Sequence, residues 1–143
     1  DEAYPELPFV FAGSALGSAG GMGMVTTPVE HAGPARRMAL VGSAIELGAS
    51  RRIEGRLGLL AEPYLTGRAG SLLRAGKAMT AAGALGTALL GRRSRAASVV
   101  SGLLVNAGAL ATRFGIFEGG VASTRDPKYV VVPQRERLAR ATP

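Results

Sequence analysis

The chain has 143 residues, 47% of them hydrophobic but only 5% aromatic, with 21 glycines, no Trp, no Cys and one histidine. A chain without cysteine cannot carry a disulfide framework or ligate an iron–sulfur cluster, and a lone His31 does not make a metal site. The formal net charge of +7 does not point to nucleic acid, because the basic residues fall at the ends of apolar runs rather than on one stripe with aromatics between them.

Flanking positive charge is the pattern of membrane spans. The kind of apolar residue agrees: a soluble core leans on Leu, Ile, Val and Phe, which bury large areas each, whereas this chain uses Ala and Gly. Small residues let helix backbones approach closely, which is how helices pack in lipid. The expectation is an all-α integral membrane bundle of about four helices. The opening "DEAYPELPFVF" has no initiator Met and no signal-peptide pattern, so the chain reads as part of a longer protein.

The first apolar segment covers about residues 8–27, close to the roughly 20 residues that cross a bilayer core. Gly13, Gly17 and Gly21 recur every fourth residue and share one helix face, a doubled small-xxx-small contact motif. The second span covers about 34–52, with Pro34 suited to a first helical turn and Arg51 and Arg52 at its end. The stretch "LLAEPYLTGRAGSLLRAGKAM" reads as a loop and an interfacial segment, with Tyr64 as an anchor at headgroup level.

A third span follows over about 73–91, then the turn "RRSR" from Arg92 to Arg95, then a fourth span over about 96–117. Residues 118–143 read as an extended tail, with Tyr129 as a second interfacial anchor and an Asp126-Pro127 step that disfavours helix. Four spans put the N-terminus, the central loop and the tail on one side, with eleven Lys and Arg against five (Arg36, Arg37, Arg92, Arg93 and Arg95) on the other. The excess places the C-terminus in the cytoplasm.

Two charges fall inside spans. Spans two and four run in the same direction, and at about 1.5 Å per residue Glu46 lies roughly 9 Å from Arg52 while Arg113 lies roughly 8 Å from Glu118. Their depths match, and Lys77 near the start of span three lies at a similar level. An intramembrane charge is costly unless it faces the bundle and finds a partner, so Glu46 is expected to pair with Arg113 or Lys77. Asn106 lies seven residues before Arg113 on nearly the same face, and Ser43, Glu46 and Ser50 share a face of span two. Glu46, Asn106 and Arg113 thus form either a polar seam for protons or a quinone headgroup, or a structural lock between helices.

Other chemistry finds little support. "GSAGGMG" lacks the Lys-Ser/Thr ending of a phosphate loop. Ser14, Ser18 and Ser98 have no base to activate them, and His31 sits in a connecting loop.

The run "RFGIFEGGVASTRDPKYVVVPQRERL", with "ELPFVFAGSALGSAGG" and "HAGPARRMALVGSAIEL" upstream, resembles the C-terminal half of the NrfD/PsrC family, closest to actinobacterial members. The most telling part is Arg113 to Pro127, where an arginine closes the last span before glycines and an Asp-Pro step. The family comprises polysulfide-reductase-type membrane subunits of molybdopterin oxidoreductases. The resemblance implies a multi-pass subunit in the bacterial cytoplasmic membrane that anchors a ferredoxin-like iron–sulfur subunit and a molybdopterin catalytic subunit. It further implies electron exchange with a menaquinone or other quinone pool, no metal on this chain, and a quinone pocket lying mainly in the N-terminal half of the subunit. The alternatives are a transporter or scaffold bundle without redox chemistry, or a soluble helical domain with wide polar faces.

Overall fold

Pro28 and Pro34 punctuate the first hairpin. Proline cannot continue a helix from within but fits its first turn, and α1 (Leu7–Thr26) accordingly ends just before Pro28 while α2 (Gly33–Leu57) starts just before Pro34. The Pro28 carbonyl accepts hydrogen bonds from the amides of His31 and Ala32, at 3.0 Å each, closing the turn. The second hairpin joins α3 (Gly67–Leu89) to α4 (Arg95–Arg125). There Ser94 caps α4, its Oγ accepting from the Ala97 amide at 3.4 Å. The computed structural model describes residues 7–57 and 67–125, and among these residues the fold is all-α with no strand.

The four helices run up and down in a ring. α1 packs against α2 on one side and α4 on the other, α3 packs along α4, and α2 and α3 meet over a shorter stretch. Both tight turns lie at one end of the bundle, hereafter the turn end. The α2–α3 connection, residues 58–66, lies outside the described residues, as do the N-terminal six residues and the tail from Asp126 onward.

Contact between helices is made by backbone. A Cβ added at Gly13 would lie 2.6 Å from the Glu46 amide nitrogen, and one at Gly20 would run into the Ala39 nitrogen. A Cβ at Gly21 would lie 2.7 Å from the Gly102 carbonyl oxygen, and one at Gly83 2.8 Å from the Val105 nitrogen. The expected glycine face is therefore real but shared: Gly13 and Gly17 meet α2, and Gly21 meets α4.

The residue classes are reversed relative to a water-soluble bundle. The largest wholly buried apolar side chains are Met24, Val10 and Val105, and apart from Glu46 the rest of the interior is Gly, Ala, Ser and Thr. The outside carries Phe9, Leu85, Leu89, Val100, Leu103, Leu110, Phe114 and Phe117, with Leu89 67% and Phe117 66% exposed. Two helices, Leu7–Thr26 and the Arg95–Val121 portion of α4, are long and apolar enough to cross a membrane. α2 and α3 carry more charge along their length, including Arg51 and Arg52, and Arg68, Arg74 and Lys77.

Helix bounds depart from the sequence-based ones at three places. α2 runs five residues past Arg52, and α3 begins six residues before Leu73, at Gly67, whose φ of +60° suits glycine. α4 runs through Gly119 and Gly120 to Arg125, eight residues beyond Phe117. Packing accounts for the last of these: Gly115 abuts Leu73 of α3, and Gly119 is buried, so the helix keeps a partner past the point where composition turns polar.

Two arginines fasten the turn end. The Arg95 guanidinium donates to the carbonyls of Met24 at 2.8 Å, Thr27 at 2.7 Å and Val25. These carbonyls close the last turn of α1, where a helix has no internal donors to offer and where positive charge is favoured. Arg36 donates to Val29 O at 2.9 Å and Gly91 O at 3.5 Å, tying one hairpin turn to the other. Part of the basic "RRSR" turn is thus occupied in holding helix ends.

Candidate functional site: a buried polar core at Glu46

Glu46 is the one ionisable side chain among the described residues that is wholly interior, 2% exposed. Its position follows from α1: Gly13 has no side chain, so the α2 backbone seats at Ile45 and Glu46 directly on the α1 backbone. The carboxylate is then directed between helices rather than outward. The Thr112 hydroxyl and the Arg113 guanidinium, both on α4, lie within electrostatic reach of it.

Around it the interior holds polar atoms without partners. Glu46 Oε2, Ser14 Oγ, Ser43 Oγ, Thr80 Oγ1 and Thr112 Oγ1 are buried and make no hydrogen bond among the described residues. Each of the four helices contributes at least one. Ser43 lies one turn from Glu46 on α2. Thr80 and Thr112 are exchanged across the α3–α4 contact, Thr80 Oγ1 against Gly108 and Thr112 Oγ1 against Gly76. By contrast Thr87 Oγ1 is satisfied, donating to Gly83 O at 2.7 Å, and Ser98 donates to Met24 O at 3.5 Å. The unpartnered set therefore excludes the turn end and occupies the level of Glu46 and the turns beside it.

Buried hydroxyls and carboxylates without partners cost about 1–3 kcal/mol each, and native interiors hold few of them. A cluster with one acid and four hydroxyls is what a proton, a water chain or a ligand oxygen would need. Such groups accept and donate in alternation along a path.

The three residues singled out from the sequence are placed differently from one another. Glu46 and Arg113 come within electrostatic reach at matched depth, although the Arg113 side chain is itself exposed and Glu46 Oε2 stays unpartnered. Asn106 is half-buried elsewhere, donating to Gly102 O at 2.9 Å and lying against Gly21 of α1. Glycines 13 and 21 mark the levels of Glu46 and Asn106, so about 12 Å of helix axis separates them. Lys77 is half-buried on α3. His31 is exposed in the first turn. Tyr64 and Tyr129 lie outside the described residues.

Sequence reasoning did not single out Thr80 and Thr112, and it weighed Ser14 only as a nucleophile. A usable signal existed: Gly76/Thr80 and Gly108/Thr112 are equal four-residue spacings on two neighbouring helices, which in an antiparallel pair set each hydroxyl over the other helix's glycine. Among the described residues no group of three or more His, Cys, Asp or Glu side chains could hold a metal ion. Comparison of the chain with known protein families, with curated proteins and with solved structures finds no match.

Proposed function

We propose that the chain is a four-span integral membrane bundle of the bacterial cytoplasmic membrane, with its C-terminus on the cytoplasmic side. We further propose that it forms the C-terminal half of a quinone-linked electron-transfer subunit of the NrfD/PsrC type. In this role it anchors an iron–sulfur and a molybdopterin subunit of a respiratory oxidoreductase. The observation that supports the membrane reading is the reversal of residue classes: Phe and Leu outside, Gly, Ser and Thr inside. In water such a bundle would leave most of its large apolar side chains solvated, against the main driving force of folding, whereas in lipid they face a matching solvent and small residues bring the helices together.

The electron-transfer reading rests on the Arg113 to Pro127 resemblance, and the polar core is compatible with it. Quinone reduction takes up protons and quinol oxidation releases them, so a group that can donate or accept a proton is needed beside the headgroup oxygen. The orphaned Glu46 Oε2 and Thr112 Oγ1 fit one oxygen of a headgroup, with the Arg113 guanidinium within electrostatic reach of Glu46. When bound, the quinone supplies the two-electron chemistry; this chain's residues orient its oxygen and carry protons. The other wall of the pocket is assigned to the preceding half of the subunit.

The test is binding of a fluorescent menaquinol analogue, by quenching, to the full-length subunit in detergent, with Glu46→Gln and Arg113→Ala variants. Weakened binding in both variants without loss of thermal stability supports the reading. Unchanged affinity together with lowered stability would mean that the polar core is a structural lock, which is the behaviour of a scaffold or transporter bundle without redox chemistry.

A further inference from the structure

At the turn end, opposite the Glu46 core, the short α2–α3 contact leaves a cavity of about 340 Å³ lined by Gly33, Arg36, Arg37, Leu40, Thr87, Ala88 and Arg92. Three arginines line it, Arg36 and Arg37 from α2 and Arg92 from the α3–α4 turn. Arg36 spends one nitrogen on Val29 O and Gly91 O, which fixes its position, and Arg37 and Arg92 are exposed. Charge at this end is strongly unbalanced. Arg36, Arg37, Arg92, Arg93 and Arg95 face one carboxylate among the described residues there, Glu30, which does not line the cavity.

A planar guanidinium presents a fork of donors that can bond two oxygens of a tetrahedral phosphate at once, so three of them around one cavity suit that group. The far wall is of another kind, since Leu40 and Ala88 are apolar and lie along the open α2–α3 groove. A ligand with an anionic head and an apolar stem would satisfy both walls. We propose that this cavity binds a phosphate group, held by Arg36, Arg37 and Arg92. The phosphate is carried either by an anionic phospholipid whose chain follows the α2–α3 groove or by a free phosphate ion. The binding chemistry is independent of the quinone reading, and the free-ion arm does not require that the bundle span a membrane.

The experiment uses the full-length protein, purified in neutral detergent, with phosphatidylglycerol, phosphatidylcholine and inorganic phosphate as three separate probes. Binding is followed by native mass spectrometry for the lipids and by calorimetry for phosphate. The variants are Arg37→Gln/Arg92→Gln, which leaves the structural Arg36 in place, and Arg51→Gln/Arg52→Gln at the opposite end as a charge-matched control. The expected result is retention of phosphatidylglycerol over phosphatidylcholine, or saturable phosphate binding, in the parent and in the control. Each guanidinium removed at the cavity should weaken it by about tenfold or more. Phosphatidylglycerol alone identifies a lipid headgroup, and phosphate alone a free ion. Equal retention of the two lipids with no phosphate binding would overturn the proposal, as would losses of equal size in the cavity variant and the opposite-end control.

Discussion

Gly42 of α2 and Gly17 of α1 bring their backbones together so closely that a Cβ on Gly42 would overlap the Gly17 amide nitrogen. Gly13 O lies 2.6 Å from the same hypothetical atom, so neither rotamer choice nor side-chain movement relieves the clash. Gly42→Leu is expected to separate α1 from α2 and to cost at least about 3 kcal/mol. The matched control is Gly48, also in α2, where an added Cβ meets nothing within 4 Å. Gly48→Ala should leave stability unchanged or raise it by about 1 kcal/mol through helix propensity. Thermal unfolding of both variants in detergent, followed by helix circular dichroism, measures the difference; equal effects would mean that α1 and α2 do not meet through these glycines.

Arg95 supports a second prediction. Its guanidinium serves three carbonyls of the last turn of α1 from the first position of α4. Arg95→Ala removes charge-assisted hydrogen bonds that nothing nearby replaces, with an expected loss of about 2 kcal/mol. Arg95→Lys should recover less than half, because an ammonium on a flexible stem does not reproduce a planar fork of donors. Loss of the Ser94 cap in Ser94→Ala should cost about 1 kcal/mol. A melting series in which Lys restored the parent value would show that charge alone, without the fork, closes the α1 end.

Much of this architecture was legible in the sequence because glycine spacing and proline placement are local signals. Gly13, Gly17 and Gly21 announced a contact face, and Pro34 marked a first helical turn. The helix ends were less legible. The end of α4 depends on Gly115 meeting Leu73, a contact between residues far apart in the chain that composition does not reveal, so a polar run was read as the start of a tail. The polar core was half legible. Glu46 stood out as a charge in an apolar run, and its depth match to Arg113 followed from helix rise alone. Thr80 and Thr112 did not stand out, since threonine is ordinary in any helix until its neighbours across the interface are known to be glycine.

The orphaned carboxylate at Glu46 sets up an opposition between stability and function. A buried ionisable group without a full set of hydrogen bonds is often improved by an apolar residue of similar size. Glu46→Met is therefore expected to raise stability by about 1–3 kcal/mol while removing the quinol response of the full-length subunit. Glu46→Gln, which keeps the shape and one acceptor, should fall between the two in stability and share the functional loss. Measuring melting temperature and quinol binding on the same preparations checks both halves. A Glu46→Met protein that is less stable than its parent would show that the carboxylate holds the helices together.

The outer face gives the sharpest test of whether lipid or water surrounds the bundle. Leu110 is 56% exposed and lies near the middle of the Arg95–Val121 apolar stretch, and Phe117 is exposed near its end. In water both positions are ordinary surface, and arginine at either should change stability by less than about 0.5 kcal/mol. In a bilayer the two differ. Leu110→Arg puts a guanidinium at the hydrocarbon centre, at a cost of about 2.5–3.5 kcal/mol on insertion scales, whereas an arginine at 117 can extend its stem to the interface and keep its charge hydrated. Membrane insertion of α4, read by glycosylation of a reporter placed beyond each end of the helix, should fall sharply for Leu110→Arg and little for Phe117→Arg. Full insertion of both variants, or release of either as a detergent-free monomer, would place the exposed Leu and Phe side chains in water and overturn the membrane reading.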